Sequence, residues 1–286
     1  MTVLCESKYL MPVFVFCCRT IHPVRYYREY LSHNIRPDGR SLQQFRPISI
    51  NIGSLKNADG SAVIKLGNTS VVCGVKAELF TPKAEEPDVG CVVVNIELPP
   101  MCSGKVRPGP PSDQAQLVSS FVNELVMKSD IVDLKQLCIV PTKLAWVLFC
   151  DIICLNNDGG LTDACVTALV GALKSVRLPE ASYETDVSKT NIDIEKKHYL
   201  TGIKNIAATT FAIFDDEILL ADPNDEEEEI SSGILTIVTD SQQLFSVHKP
   251  GGCPLSDEIT QKCLKKSKDR AVQINELISS CEKKAE

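Results

Sequence analysis

Twice along this chain, short segments that alternate apolar and polar residues give way to a helical period. That order restricts the fold more than any single motif does. In the first series, Ile48, Ile50 and Ile52 alternate with polar neighbours, the pattern of a half-buried strand. Asn57-Ala58-Asp59-Gly60 is a hairpin signal, and residues 62–66 and 70–79 follow as strands on either side of Gly67-Asn68. Residues 91–98 read as another strand. Residues 144–155 (LAWVLFCDIICL) form a nearly continuous apolar run suited to a central strand. Helical spacing marks residues 113–128, through Leu117, Val118, Phe121 and Leu125, and then residues 163–176.

The second series repeats the order. Residues 207–214 and 218–221 read as strands across Asp215-Asp216-Glu217, as do 234–238 and 244–248. Residues 253–283 read as one long C-terminal helix or two. Strands followed by helix, twice over, describe an α+β protein with two similar halves. Residues 26–31 predict a short amphipathic helix, residues 36–40 a turn, and the polar stretch 180–196 a linker or excursion. Asp113 followed by Gln116 suits a capping box.

The 286 residues, 44% hydrophobic, hold enough apolar material for a full core. A net charge of −7 argues against a free-standing nucleic-acid binder, because phosphate contacts carry most of such affinity. Any RNA role must rest on a local basic patch or on partners. The 13 cysteines form no C-x-x-C pair, and Cys73, Cys91, Cys138, Cys150, Cys154 and Cys165 sit singly in apolar runs. Buried thiols in a reducing compartment, with no metal site, are the expectation. The apolar stretch 10–18 is too short to span a bilayer. Residues 1–25 are expected to be an extension, disordered or non-native, with the fold starting near Tyr26.

Four places could carry chemistry. The first is Asn157-Asp158-Gly159-Gly160 running into a small-residue helix, since glycines before a helix N-terminus often cradle a phosphate. A phosphate there would want a cation, but the sequence supplies Thr162 and Asp163. Asp163 reads as a cap or first-turn residue whose charge repels an anion. The second is the set of carboxylates Asp151, Asp158, Asp163 and Asp222, with Asp151 read as a structural carboxylate in a core strand. The third is the acidic run 225–229, read as a solvated loop. The fourth is the Gly/Pro-rich loop 99–112, where Lys105 and Arg107 could lie along a nucleic-acid backbone. No nucleotide-binding, zinc-protease or hydrolase signature occurs.

Three segments together carry a resemblance: residues 36–40 (RPDGR), 59–73 (DGSAVIKLGNTSVVC) and 158–173 (DGGLTDACVTALVGAL). They resemble the RNase PH family. Residues 107–111 (RPGPP) and 222–236 (DPNDEEEEISSGILT) are similar to its branch in the ring of the eukaryotic RNA exosome. The resemblance implies an RNase PH-like fold of the ribosomal protein S5 domain 2-like kind, with two similar α/β layers. Domain 1 would cover residues 26–180 and domain 2 residues 200–283.

Phosphorolytic members of the family have an arginine for the attacking phosphate where Thr162-Asp163 stand here. Their catalytic aspartate falls near Ser232-Gly233. Both functional groups are missing, so the resemblance implies a non-catalytic ring subunit that uses no cofactor or metal. The implied partners are other RNase PH-like subunits in a six-membered ring, cap subunits, an associated nuclease and RNA passing through the channel, with no membrane. The implied locations are nucleus, nucleolus and cytoplasm. Arginines that hold RNA in related subunits fall on Ser120 and Glu124, which leaves Lys105 and Arg107 as the local RNA candidates. An active phosphate-dependent 3′-to-5′ exoribonuclease is the alternative.

Overall fold

A computed structural model describes residues 19, 21–82, 85–184 and 189–285. Its elements, in chain order, begin with α1 (Pro23–Ser32), β1 (Ile48–Ile52), β2 (Gly60–Leu66), β3 (Thr69–Phe80), β4 (Cys91–Glu97) and α2 (Asp113–Ser129). Next come β5 (Cys138–Val140), β6 (Leu144–Asn156), α3 (Leu161–Lys174), β7 (Arg177–Glu184) and β8 (Lys189–Tyr199). The second half holds β9 (Ala207–Phe214), β10 (Ile218–Ala221), α4 (Asp225–Ile230), β11 (Gly233–Thr239), β12 (Leu244–His248) and α5 (Asp257–Ala285).

The first sheet has the order β1-β2-β3-β6-β4, with β5 also paired to β6. Its strands are antiparallel apart from β4, which runs parallel to β6. The second sheet has the order β10-β9-β11-β12 and is antiparallel throughout. Helix α3 lies between the two, packing on β2 and β3 on one side and on β9 on the other. That position explains its composition. Twelve of its 14 residues are buried, so no polar stripe survives. Alanines 164, 168 and 172, with Gly171, let both sheets approach. A Cβ on Gly171 would already stand 3.2 Å from that of Ala62. Helix α2 covers β4 and β12, and α5 covers β9, β11 and β1.

The edge of β4 is closed by a side chain. Asn123 of α2 accepts from the Val94 amide at 2.9 Å and donates to the Val94 carbonyl at 2.6 Å. This removes part of a free pairing edge. The outer face of the same sheet is open, and Val93, Ile153 and Leu155 stand 38–40% exposed on it.

Several expectations are corrected. Of the two readings of residues 180–196, excursion holds and linker does not. The described residues among them belong to the antiparallel β7–β8 ribbon, in which every residue from Arg177 to Glu184 has a partner. The acidic run is not a solvated loop but helix α4, started by a capping box between Asn224 and Glu227. Helix α2 is capped by Ser112, which accepts from the Ala115 amide, and not by Asp113. Helix α3 begins at Leu161, with Gly160 as its N-cap. Asp151 is exposed on the outer face of β6 rather than buried. Of the proposed extension, residues 1–18 and 20 lie outside the described residues. Pro23–Arg25 belong to α1, because Tyr27 and Leu31 anchor that helix against Phe214 and Leu220.

Candidate functional site: the N-terminus of helix α3

The turn before α3 has both properties expected of an anion cradle. Gly159 and Gly160 have φ of +75° and +64°, the left-handed region where a side chain is costly. A Cβ on Gly159 would come within 2.6 Å of the backbone of Asn224 and Asp225. The turn therefore presses directly on the start of α4.

The anion is supplied by the chain itself. The Gly160 amide donates to Glu228 Oε1 at 2.7 Å. Burial, reinforced by Asp163 and Asp225, pushes the Glu228 carboxyl up to about 7, against the opposing pull of that hydrogen bond. A partly buried carboxylate thus sits at the positive end of the α3 dipole, where a phosphate oxygen would otherwise go.

Beneath the turn lies a buried ion pair. Arg46 donates to both carboxylate oxygens of Asp222, through Nε at 3.0–3.1 Å and Nη2 at 2.6 Å. Its backbone amide donates to Asp222 Oδ2 at 2.7 Å. The same guanidinium donates to the carbonyls of Asp158 (2.6 Å), Gly159 (3.2 Å) and Pro223 (3.3 Å). It is a buried fork that spans the two halves. Asp222 has φ of +52°, which a short Asx side chain tolerates. Arg40 donates to the Asp222 carbonyl at 3.0 Å, as does Arg36 at 3.2 Å. Arg36 is fully buried, and burial lowers its pKa.

Asp163 is the third acidic group. It does not cap its own helix. It accepts from the Thr210 amide at 2.8 Å and from Thr210 Oγ1 at 2.7 Å, pinning α3 to β9. Burial pushes it up to about 6 against those two bonds. Thr162 is half-buried beside it. Ser232 and Gly233 reach the same strand further along. Ser232 donates through its amide to the Ile213 carbonyl at 2.8 Å, and Gly233 pairs with Ile213. Three residues of strand separate Thr210 from Ile213, about 10 Å. The fold therefore ties Asp163 and Ser232-Gly233 to one strand, β9, with the exposed Asp216 donating through its amide to Ser232 Oγ at 3.3 Å.

The basic loop also ends at α4. Lys105 Nζ donates to Asp225 at 2.8 Å and to Glu229 at 2.9 Å, and these bonds raise its pKa. Arg107 is exposed on the same loop. Every carboxylate of the acidic run has a partner, with Lys105 shared by two of them. Asp225 and Glu229 hold Lys105, Glu226 takes Tyr27 and Arg19, Glu227 takes Arg36 and the helix cap, and Glu228 takes Gly160. The sequence reading missed this role. The Asn224-x-x-Glu227 spacing carried the signal, being a capping box that a loop would not need.

Family models for the 3′ exoribonuclease family match residues 44–179 as domain 1 and residues 204–270 as domain 2. The chain belongs to the RNase PH family. Relatives in this family include the exosome complex component rrp43 of Schizosaccharomyces pombe, 39% identical over 88% of this chain and 93% of that protein. The exosome complex component Rrp42 of Methanothermobacter thermautotrophicus is 35% identical over 87% and 92%. A chain in the structure of the Archaeoglobus fulgidus exosome with RNA bound to the active site superposes with a TM-score of 0.77. It is 31% identical and covers 92% of this chain and 98% of that one. The RNase PH-like α+β fold expected from the three sequence segments is the fold found.

Proposed function

We propose that this RNase PH-family chain is a non-catalytic structural subunit of the RNA exosome ring. In that role it supports 3′-to-5′ processing and degradation of RNA, including ribosomal RNA maturation and messenger RNA turnover. Its partners are other RNase PH-like subunits in a six-membered ring, together with cap subunits, an associated nuclease and RNA in the channel. Its locations are nucleus, nucleolus and cytoplasm. Similarity to exosome components over most of both chains supports the ring assignment.

One observation carries the non-catalytic reading. Glu228 occupies the Gly160 amide, at the helix end where the resemblance implies that active members take phosphate. A phosphate would have to displace this carboxylate and then face the carboxylates of Asp163 and Asp222. The open outer face of the first sheet, with Val93, Ile153 and Leu155, is apolar surface that assembly with neighbouring subunits would bury.

The test is to give the complex purified from its own cells inorganic phosphate and polyadenylate, and to measure nucleoside diphosphate release and native composition. A stoichiometric set of different RNase PH-like chains, whose phosphorolysis is unchanged by Glu228→Ala, is the expected result. A homohexamer that releases nucleoside diphosphate would overturn the reading and favour the exoribonuclease alternative.

A further inference from the structure

At the other end of α3 lies a groove of about 600 Å³. The helix has 14 residues, so this groove is about 20 Å from Gly160. Its walls come from the β1–β2 hairpin (Leu55, Lys56, Asp59), the C-terminus of α3 (Lys174) and the roots of the β7–β8 ribbon (Arg177, Lys197, Tyr199).

The groove differs from the rest of an acidic chain. Lys56, Arg177 and Lys197 are exposed in it, and among the described residues none has a carboxylate within ion-pair distance. Of its two acids, Glu282 is paired with Lys174 at 3.0 Å, and Asp59 is turned to the Ala77 amide, from which it accepts at 3.1 Å while keeping its charge. The three exposed cations outnumber that one unpaired acid. A planar platform stands among the cations. Arg177 and Tyr199 are directly paired in the ribbon, the guanidinium lies 4.8 Å from the ring centre, and the tyrosine remains 44% exposed.

We infer that this groove binds single-stranded RNA, with phosphates toward Lys56, Arg177 and Lys197 and a base stacked on the Arg177–Tyr199 platform. The inference rests on the exosome reading above and names where RNA meets this subunit. Cations alone would serve an acidic peptide equally. The exposed ring and guanidinium planes favour a nucleobase, which stacks on such surfaces without needing a particular sequence. Lys105, by contrast, is already held by two carboxylates.

The test measures binding of a labelled single-stranded oligoadenylate to the full chain by fluorescence anisotropy at several salt concentrations. Native mass of the cellular complex is recorded for the same variants. Tyr199→Ala should weaken binding by at least about fivefold, while Tyr199→Phe binds as the unsubstituted chain does. Lys56→Ala with Lys197→Ala should reduce the salt slope by about 1.4. Those results with an unchanged native mass support the groove. Unchanged RNA affinity in all three variants overturns it, as does displacement of the labelled oligoadenylate by polyglutamate as readily as by unlabelled oligoadenylate. Loss of the mixed complex from the unsubstituted chain counts instead against the exosome reading.

Discussion

The amide of Gly160 and the carboxylate of Glu228 are 68 residues apart in sequence and 2.7 Å apart in space. One is the N-cap of the central helix, the other a member of a five-residue acidic run that looks solvent-facing in the sequence. Their hydrogen bond joins the two halves of the chain at the point where a helix dipole and two left-handed glycines would suit an anion. Four consequences can be measured.

Stability should fall as pH rises from about 4 to about 7 through the two carboxyls at this site. Burial lifts Asp163 to about 6 and Glu228 to about 7, whereas carboxyls in an unfolded chain titrate near 4. Between those values the folded state binds more protons than the unfolded state, so the slope of unfolding free energy against pH is negative. The contribution is full below pH ~4 and lost as pH passes the folded values. Urea midpoints measured from pH 5 to 8 should show Glu228→Gln gaining on the unsubstituted protein as pH rises. A gap that stays constant across this range would contradict the assignment.

Arg46→Met should destabilise by about 3 kcal/mol, because it leaves the Asp222 carboxylate, itself 1% exposed, with only the residue-46 amide and Arg40 at 3.6 Å. The partner change is Asp222→Asn, since asparagine tolerates the +52° φ. Combining the two should recover part of the loss in a denaturant double-mutant cycle. Purely additive losses would mean that the pair is not coupled.

Gly159→Ala should cost at least about 2 kcal/mol, from the left-handed φ and the clash with the Asn224 and Asp225 backbone. Gly104, with open space around its Cβ position, is the control, and its alanine variant should melt within a degree or two of the unsubstituted protein. Equal melting temperatures for the two variants would show that the turn does not press on α4.

Inorganic phosphate should leave the melting temperature where chloride of equal ionic strength leaves it. A site with a dissociation constant of 1 mM would add about 1.4 kcal/mol at 10 mM phosphate, enough to see by calorimetry. A phosphate-specific rise would place an anion at the α3 turn despite Glu228.

Much of this molecule could be read along the chain. Periodicity located the strands around Ile48–Ile52 and Ala207–Phe214 and the helices around Phe121 and Ala168, since alternation and helical spacing are local consequences of burying one face. Thr162 and Asp163 could be placed at the start of a helix from the turn signal before them. The β7–β8 ribbon was not legible, because its sequence is mostly polar and charged and pairing of Arg177 with Tyr199 leaves no periodic trace. The role of Asp225–Glu229 was hidden for a related reason. A charge run looks solvated until its partners are known, and here they come from residues 19 to 160.

The sequence by itself therefore determined the α+β class, the two-part order and the presence of Thr162 and Asp163 at the α3 turn, all properties of neighbouring residues. Only the tertiary structure decided which groups meet at that turn. Arg46 on Asp222, Thr210 on Asp163 and Glu228 on Gly160 are pairings over long sequence separations. Their energies depend on burial and on distances of 2.6–3.1 Å, which exist only once the two sheets have closed on α3.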